Sequence, residues 1–556
     1  MALTTRTCSL VFALALVAAV PASAASGRER VDFLRSGAAT FVAARAAADA
    51  GDARRAAMLY ASLAAADPGD GTMAQRALSQ AILGGDMPLA LRLAGQKPLP
   101  DLPVEAQLLR IGEGLRTRTL DKQLTREFPQ QIDFMGPFVG AWHLAERRRW
   151  KEAVQLLDRV AADAPLAELV PEQKALILLA AGRSAEARSL IQPALAAARG
   201  RSNRLRIAFA SGLAANGDRD AGLALLAGRD STLRQAAAVL AAERKPKPLI
   251  ATSAQAYSEL MTALAASLDG EDNRTLPLSV AQVARYADPR NEQASLLVGL
   301  LLDRSGREND ALAVLRSVPD ASPFAGEMRD AEVRALLGAD RKEEALARAR
   351  AFVAGDDVQA IDWLRLGDVL DAMDRHSDAA VAYGGAAAAV QAGGAGPEPW
   401  SIHLLRGAAL EQAKMWPQAE SALELAHRLA PENALVLNYL GYARLERGQK
   451  LDEAEAMIAE ASRRAPDDAS ITDSLGWAQF KRGKVTEAIA TLQRAAAADP
   501  GQAEIHEHLG DALYTAGRKY EARFAWNAAL VTAEDHVRAR IAAKVAGGLL
   551  PATAAP

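Results

Sequence analysis

The sequence predicts an all-α fold, an α-solenoid made by stacking one helix–turn–helix unit about 12 to 14 times, several copies degenerate. Three observations predict it. Alanine is over-used and only 5% of residues are aromatic, a balance that favours helices over sheets. Glycine, alanine and proline markers recur at a single spacing near the C-terminus. The unit they outline is too short to bury an apolar face alone, so it must stack on its neighbours.

The markers define the unit in chain order. Glycines of the first helix, Gly407, Gly441, Gly476 and Gly510, lie 34, 35 and 34 residues apart. A glycine without a side chain lets the partner helix approach closely there. Bend glycines Gly448, Gly483 and Gly517 are 35 and 34 apart, at the place where a helix ends in a positive φ. Alanines of the second helix, Ala419, Ala454, Ala488 and Ala522, are spaced 35, 34 and 34, and fill the crossing point. Ile458 and Ala461, Leu492 and Ala495, and Trp526 and Ala529 continue that helix's apolar stripe. Pro431, Pro466 and Pro500 stop it, again 35 and 34 apart. One residue inserted near Lys450 explains the longer interval. Weaker copies centre on Ala56, Ala153, Ala187, Ala311, Ala345 and Ala379. The unit resembles the tetratricopeptide repeat, except that the aromatic slot early in its first helix holds Leu437, Thr472 and His506.

The ends and joints are legible too. Arg6 and the amino terminus precede an apolar run of 11 residues, Leu10 to Val20, then Pro21 and the small pattern Ala22-Ser23-Ala24. This reads as a signal peptide over 1–24, cleaved near Ala24, and so as export to the periplasm. The only cysteine, Cys8, precedes the apolar run, which argues against a lipid anchor. No later stretch is long and charge-free enough to span a membrane. Residues Glu243–Pro248 and Gln391–Pro399, around Lys245 and Gly394, interrupt the helical pattern. They divide the chain into an N-terminal degenerate segment (25–243), a middle segment (250–390) and a well-formed C-terminal segment (400–545). The last ends in a capping helix from Glu534 to Val545, and 546–556 reads as a loose tail.

Net charge is −3, from 65 basic and 68 acidic residues, which argues against nucleic acid as a partner. No nucleophile elbow, phosphate-cradling loop or dinucleotide fingerprint occurs. His506 and His508 are two apart and do not share a helix face, so they do not make a zinc site. The sequence thus leads to no cofactor, no metal and no catalysis, and to protein or peptide partners instead. The first helix of each unit lines the concave side. Its inward stripe reads Asn438, Tyr442 and Leu445, then Asp473, Trp477 and Phe480, then Glu507, Asp511 and Tyr514. From these, Asn438, Tyr442, Asp473, Trp477, Phe480, Asp511 and Tyr514 are the expected protein-binding groove, aromatics interleaved with polar groups. The stripe lacks the lysine–asparagine pattern of repeats that clamp a carboxylate.

Residues from about Asn433 to Leu530, with the phrases "NYLGYARLERGQ", "DSLGWAQFKRGK" and "HLGDALYTAGRKYEARFAWNAAL", resemble the end of the LbcA-type proteins. Those are exported repeat proteins of Gram-negative bacteria. The resemblance implies a periplasmic scaffold that presents cell-wall hydrolases to a carboxyl-terminal processing protease. The alternative is a structural or assembly factor for an envelope, secretion or polysaccharide-export complex.

Overall fold

The computed structural model describes residues 37–69, 71–120, 128–268, 275–355, 358–394, 396–551, 553 and 555. The export signal expected at 1–24, and Cys8 with it, lies outside them. Among the described residues 29 α-helices follow one another and no strand occurs. Thirteen antiparallel helix pairs account for most of them. The three best-formed are Ala434–Glu446 with Leu451–Arg464, Ala469–Lys481 with Val485–Ala498, and Ala503–Thr515 with Lys519–Thr532. Their first helices start at short polar side chains where these are present. Asn433 accepts from the backbone N–H groups of Leu435 and Val436, and Asp468 from that of Ile471.

The expected markers take the expected places. Ala454, Ile458 and Ala461, then Ala488, Leu492 and Ala495, then Ala522, Trp526 and Ala529, are all fully buried. A Cβ on Gly510 would lie 2.3 Å from the Trp526 ring, one on Gly476 2.6 Å from Leu492, and one on Gly407 2.6 Å from Leu423. The same close approach, sixteen residues on, recurs upstream at Gly299 against Leu315 and Gly367 against Tyr383. Among the described bends of these pairs a left-handed residue recurs, and at Arg148, Asp340, Asp374 and Lys414 it is not glycine.

The N-terminal part of the stack does not simply lead into the middle part; it wraps around it. The pair Ser253–Leu268 and Thr275–Ala287 packs against Gly71–Leu83, Val104–Arg116 and Gly136–Glu146, far back along the chain. Tyr257 donates its hydroxyl to the Leu108 carbonyl at 2.8 Å, and the Arg307 guanidinium reaches the Leu83 carbonyl at 3.1 Å. Arg204 forks onto the buried carboxylate of Glu259 at 2.8 and 2.9 Å, with the Asn291 amide at 3.3 Å. Every residue from Pro277 to Ala284 is buried, the signature of a helix enclosed on all sides. The inner face of the N-terminal helices is therefore filled by the chain's own helices. The segments 25–243 and 250–390, separate in the sequence reading, share this packing. Around Glu243–Pro248 the flanking helices end at Ala242 and resume at Ser253. The break at Gln391–Pro399 leaves its flanking helices packed on one another.

The C-terminal cap is the helix Asp535–Gly547. Its Lys544, fully buried, donates to Glu507 at 2.6 Å and to both oxygens of Asp511 at 2.7 and 2.8 Å. The tail, read from the sequence as loose, is held where it is described. The Ala555 backbone N–H donates to Asp511 at 3.0 Å, and Leu549 packs on the last apolar cluster. A buried carboxylate that needs several donors explains this docking.

Candidate functional site

With the N-terminal inner face filled, the open concave surface lies on the first helices of the later pairs. There the chain forms a cavity of about 590 Å³. Glu411 and Gln412 of Pro399–Gln412 line one side, with Lys414 from the following bend. Asn438, Tyr439, Tyr442, Glu446 and Arg447 come from the next first helix and its end. Ser470, Asp473 and Ser474 come from Ala469–Lys481, and Gln502 and Glu504 from the entry to Ala503–Thr515.

The repeat register relates this cavity to the repeat that follows it. The residue two places before the first-helix glycine stands beside the aromatic of the preceding repeat. Beside Trp477 that residue is His508, and the two rings stack with centroids 4.1 Å apart and planes 12° apart. Beside Tyr442 it is Ser474, which has no ring to offer. Tyr442 and Ser474 both line the cavity.

The lining is acidic. Glu411 accepts from Arg447 at 2.7 Å, and that guanidinium also lies 4.1 Å over the Trp416 ring. Glu446 accepts from the Trp477 indole at 3.2 Å, with the Lys481 ammonium at 3.8 Å. Asp473 is shared with His508 at 2.9 Å. Burial opposes charge on His508, but the Asp473 carboxylate beside it, with Glu504 and Asp511 further off, outweighs burial and raises its pKa. Burial, then Glu446, Glu504, Asp473 and Glu411, push the Tyr442 phenol far above its usual range, so it stays a neutral donor. The Asn438 Oδ1 is buried with no hydrogen-bond partner among the described residues.

The seven residues expected to line a groove divide into two groups. Asn438, Tyr442 and Asp473 line this cavity together. The other four serve packing. Trp477 is 1% exposed, held between Phe480 at 5.0 Å and His508. Phe480 also packs on the last apolar cluster. Asp511 is fully buried, taking the Trp526 indole N–H at 2.9 Å and the Lys544 ammonium. Tyr514 tilts against Trp526 at 5.5 Å. The next repeat or the cap covers them. Glu411, Tyr439, Glu446, Ser470, Gln502 and Glu504 complete the lining and were not singled out. Extending the stripe by one residue either way along each first helix would have reached Tyr439 and Glu446. His506 and His508 point apart: the first reaches the Pro500 carbonyl and the second is buried on Asp473.

The tetratricopeptide repeat family profile matches residues 439–503 and 474–536, about a fifth of the chain. No curated protein sequence matches. Among solved structures, the chain is similar to the Cut9–Hcn1 hetero-tetramer of the APC/C, at 16% identity and a TM-score of 0.38, covering 94% of this chain and 98% of that one. It is similar to yeast Tom70, at 11% identity and a TM-score of 0.38, covering 75% and 96%. It is also similar to MamA of AMB-1, at 20% identity and a TM-score of 0.25, covering 33% and 97%. Among the described residues no helix is long and apolar enough to cross a membrane. Residues 439–536 thus match the tetratricopeptide repeat profile, near the end of a longer stack of helix pairs.

Proposed function

We propose that this chain is an exported, non-catalytic scaffold of the cell envelope that captures a segment of a partner protein in the cavity around Tyr442. The observation that carries the reading is the open, mostly polar groove with Tyr439 and Tyr442 in its wall, set among the best-formed repeats, while helices of the middle segment pack against those of the N-terminal part. The export signal over 1–24 and the likeness of the C-terminal phrases to LbcA-type proteins support a sharper form. In it the scaffold holds a periplasmic processing protease and presents cell-wall hydrolases to it.

The experiment is crosslinking of the tagged chain in its native type of host, with identification of the partners and of the compartment by fractionation. The sharper form requires a processing protease or a cell-wall hydrolase in the periplasmic fraction, lost when Ser474→Phe fills the cavity. Recovery of envelope-assembly proteins in their place discards the protease. Recovery that Ser474→Phe does not change removes the groove from the account.

A further inference from the structure

We propose that the segment held in this groove is extended and carries Lys or Arg side chains, an inference that rests on the reading of the cavity as the partner site. Two independent features lead there. The first is Asn438. Its side-chain amide offers one acceptor and two donors, the complement of a peptide unit, and its buried Oδ1 has no partner among the described residues. A buried acceptor left unpaired is costly, and a main-chain N–H brought to it would satisfy it. The cavity of about 590 Å³ suits a few side chains of an extended segment, within the usual range for ligand sites.

The second feature is charge. Four carboxylates line the cavity, Glu411, Glu446, Asp473 and Glu504, against two lining cations, Lys414 and Arg447, with the Lys481 ammonium 3.8 Å from Glu446. Arg447 is committed to Glu411 and to the Trp416 ring. His508 offsets Asp473 from behind. Glu504 is exposed and meets no cation among the described residues. The Tyr442 phenol sits in the field of all four carboxylates. An acidic segment would bring like charges into this partly enclosed space, whereas Lys or Arg side chains complete it. A carboxylate terminus, which basic clamps hold, is the wrong ligand here.

The test uses the full mature chain and three labelled twelve-residue peptides of equal length. One alternates Arg and Lys with Ala and Leu, one has Glu at the charged positions, and one has Gln. Fluorescence anisotropy reads binding at low and moderate salt. The inference expects the cationic peptide to bind at least about ten-fold tighter than the Gln peptide, with the preference shrinking as salt rises. Glu504→Lys weakens it about ten-fold at low salt. Glu521→Lys, on the outer surface, leaves it unchanged, and Ser474→Phe abolishes it. If Ser474→Phe does not fold, Tyr442→Ala serves in its place. A Gln or Glu peptide that binds tighter, and is still lost on filling the cavity, overturns the charge inference and leaves the groove standing. Cationic binding indifferent to Glu504→Lys is adsorption and overturns it as well. No peptide sensitive to Ser474→Phe or Tyr442→Ala overturns the groove itself.

Discussion

Gly510→Ala places one methyl group where the structure has almost no room for it. A Cβ there lies 2.3 Å from both Cδ1 and Nε1 of Trp526. The indole cannot rotate away, because it is fully buried and its N–H is bound to Asp511 at 2.9 Å. Overpacking of this kind costs about 1–3 kcal/mol. Pulling the indole off a buried carboxylate forfeits a charged hydrogen bond worth about 1.5–3 kcal/mol. Alanine returns about 1 kcal/mol through helix preference. The net cost is about 2–5 kcal/mol, felt locally, since each repeat depends on its neighbours. Native-state hydrogen exchange is the suitable assay, because a long solenoid need not unfold in one step. Protection in Ala503–Thr515 and Lys519–Thr532 is expected to fall between about thirty-fold and several thousand-fold, at ten-fold per 1.4 kcal/mol. Thr275–Ala287 should keep its protection. Gly547→Ala, where a Cβ meets nothing within 4 Å, should change stability by a few tenths of a kcal/mol at most. Native protection in Gly510→Ala would refute the close-approach reasoning, and so would an even loss along the whole chain.

Three further outcomes are expected. Lys544→Met leaves Asp511 and Glu507 buried without their ammonium and should cost the cap about 3–5 kcal/mol, read as lost protection in Asp535–Gly547. The raised pKa of His508 makes its stabilisation full below its unfolded value of about 6.5 and lost as pH rises through the folded value. Melting of the C-terminal repeats should therefore fall as pH rises above about 6.5, with the slope removed by Asp473→Asn. Trp477→Ala should cost about 3–5 kcal/mol as a buried aromatic. Tyr442→Ala, which removes a half-buried ring packed beside Ala454 and Ile458, should cost less stability than Trp477→Ala and weaken partner binding; the reverse pattern would return Trp477 to the groove.

The sequence made the C-terminal repeats legible because each marker there is forced by geometry. Gly476 and Gly510 must be glycine, since Leu492 and Trp526 occupy the space of a Cβ. The upstream repeats were harder to see because they spend those markers differently. Asp340, Asp374 and Lys414 accept a left-handed bend that glycine takes more cheaply. The wrapping of the N-terminal helices was invisible to a repeat count, because nothing in the period says which units meet. A trace existed in Thr275–Ala284, ten helix positions without a charge, where a surface helix would carry a polar face. At the groove, the sequence supplied direction but not cover. Tyr442 and Trp477 hold the same repeat position, and only the neighbour's side chain, Ser474 or His508, decides which of them faces open space.

That difference is the central claim, and site-specific photocrosslinking in the living cell tests it most directly. A benzophenone side chain at Gln412, exposed on the cavity wall, is compared with one at Val531, exposed on the outer surface. The account expects protein adducts from Gln412 that vanish when Ser474→Phe is added, and few from Val531. Adducts from Val531 alone, or Gln412 adducts that survive Ser474→Phe, would contradict it.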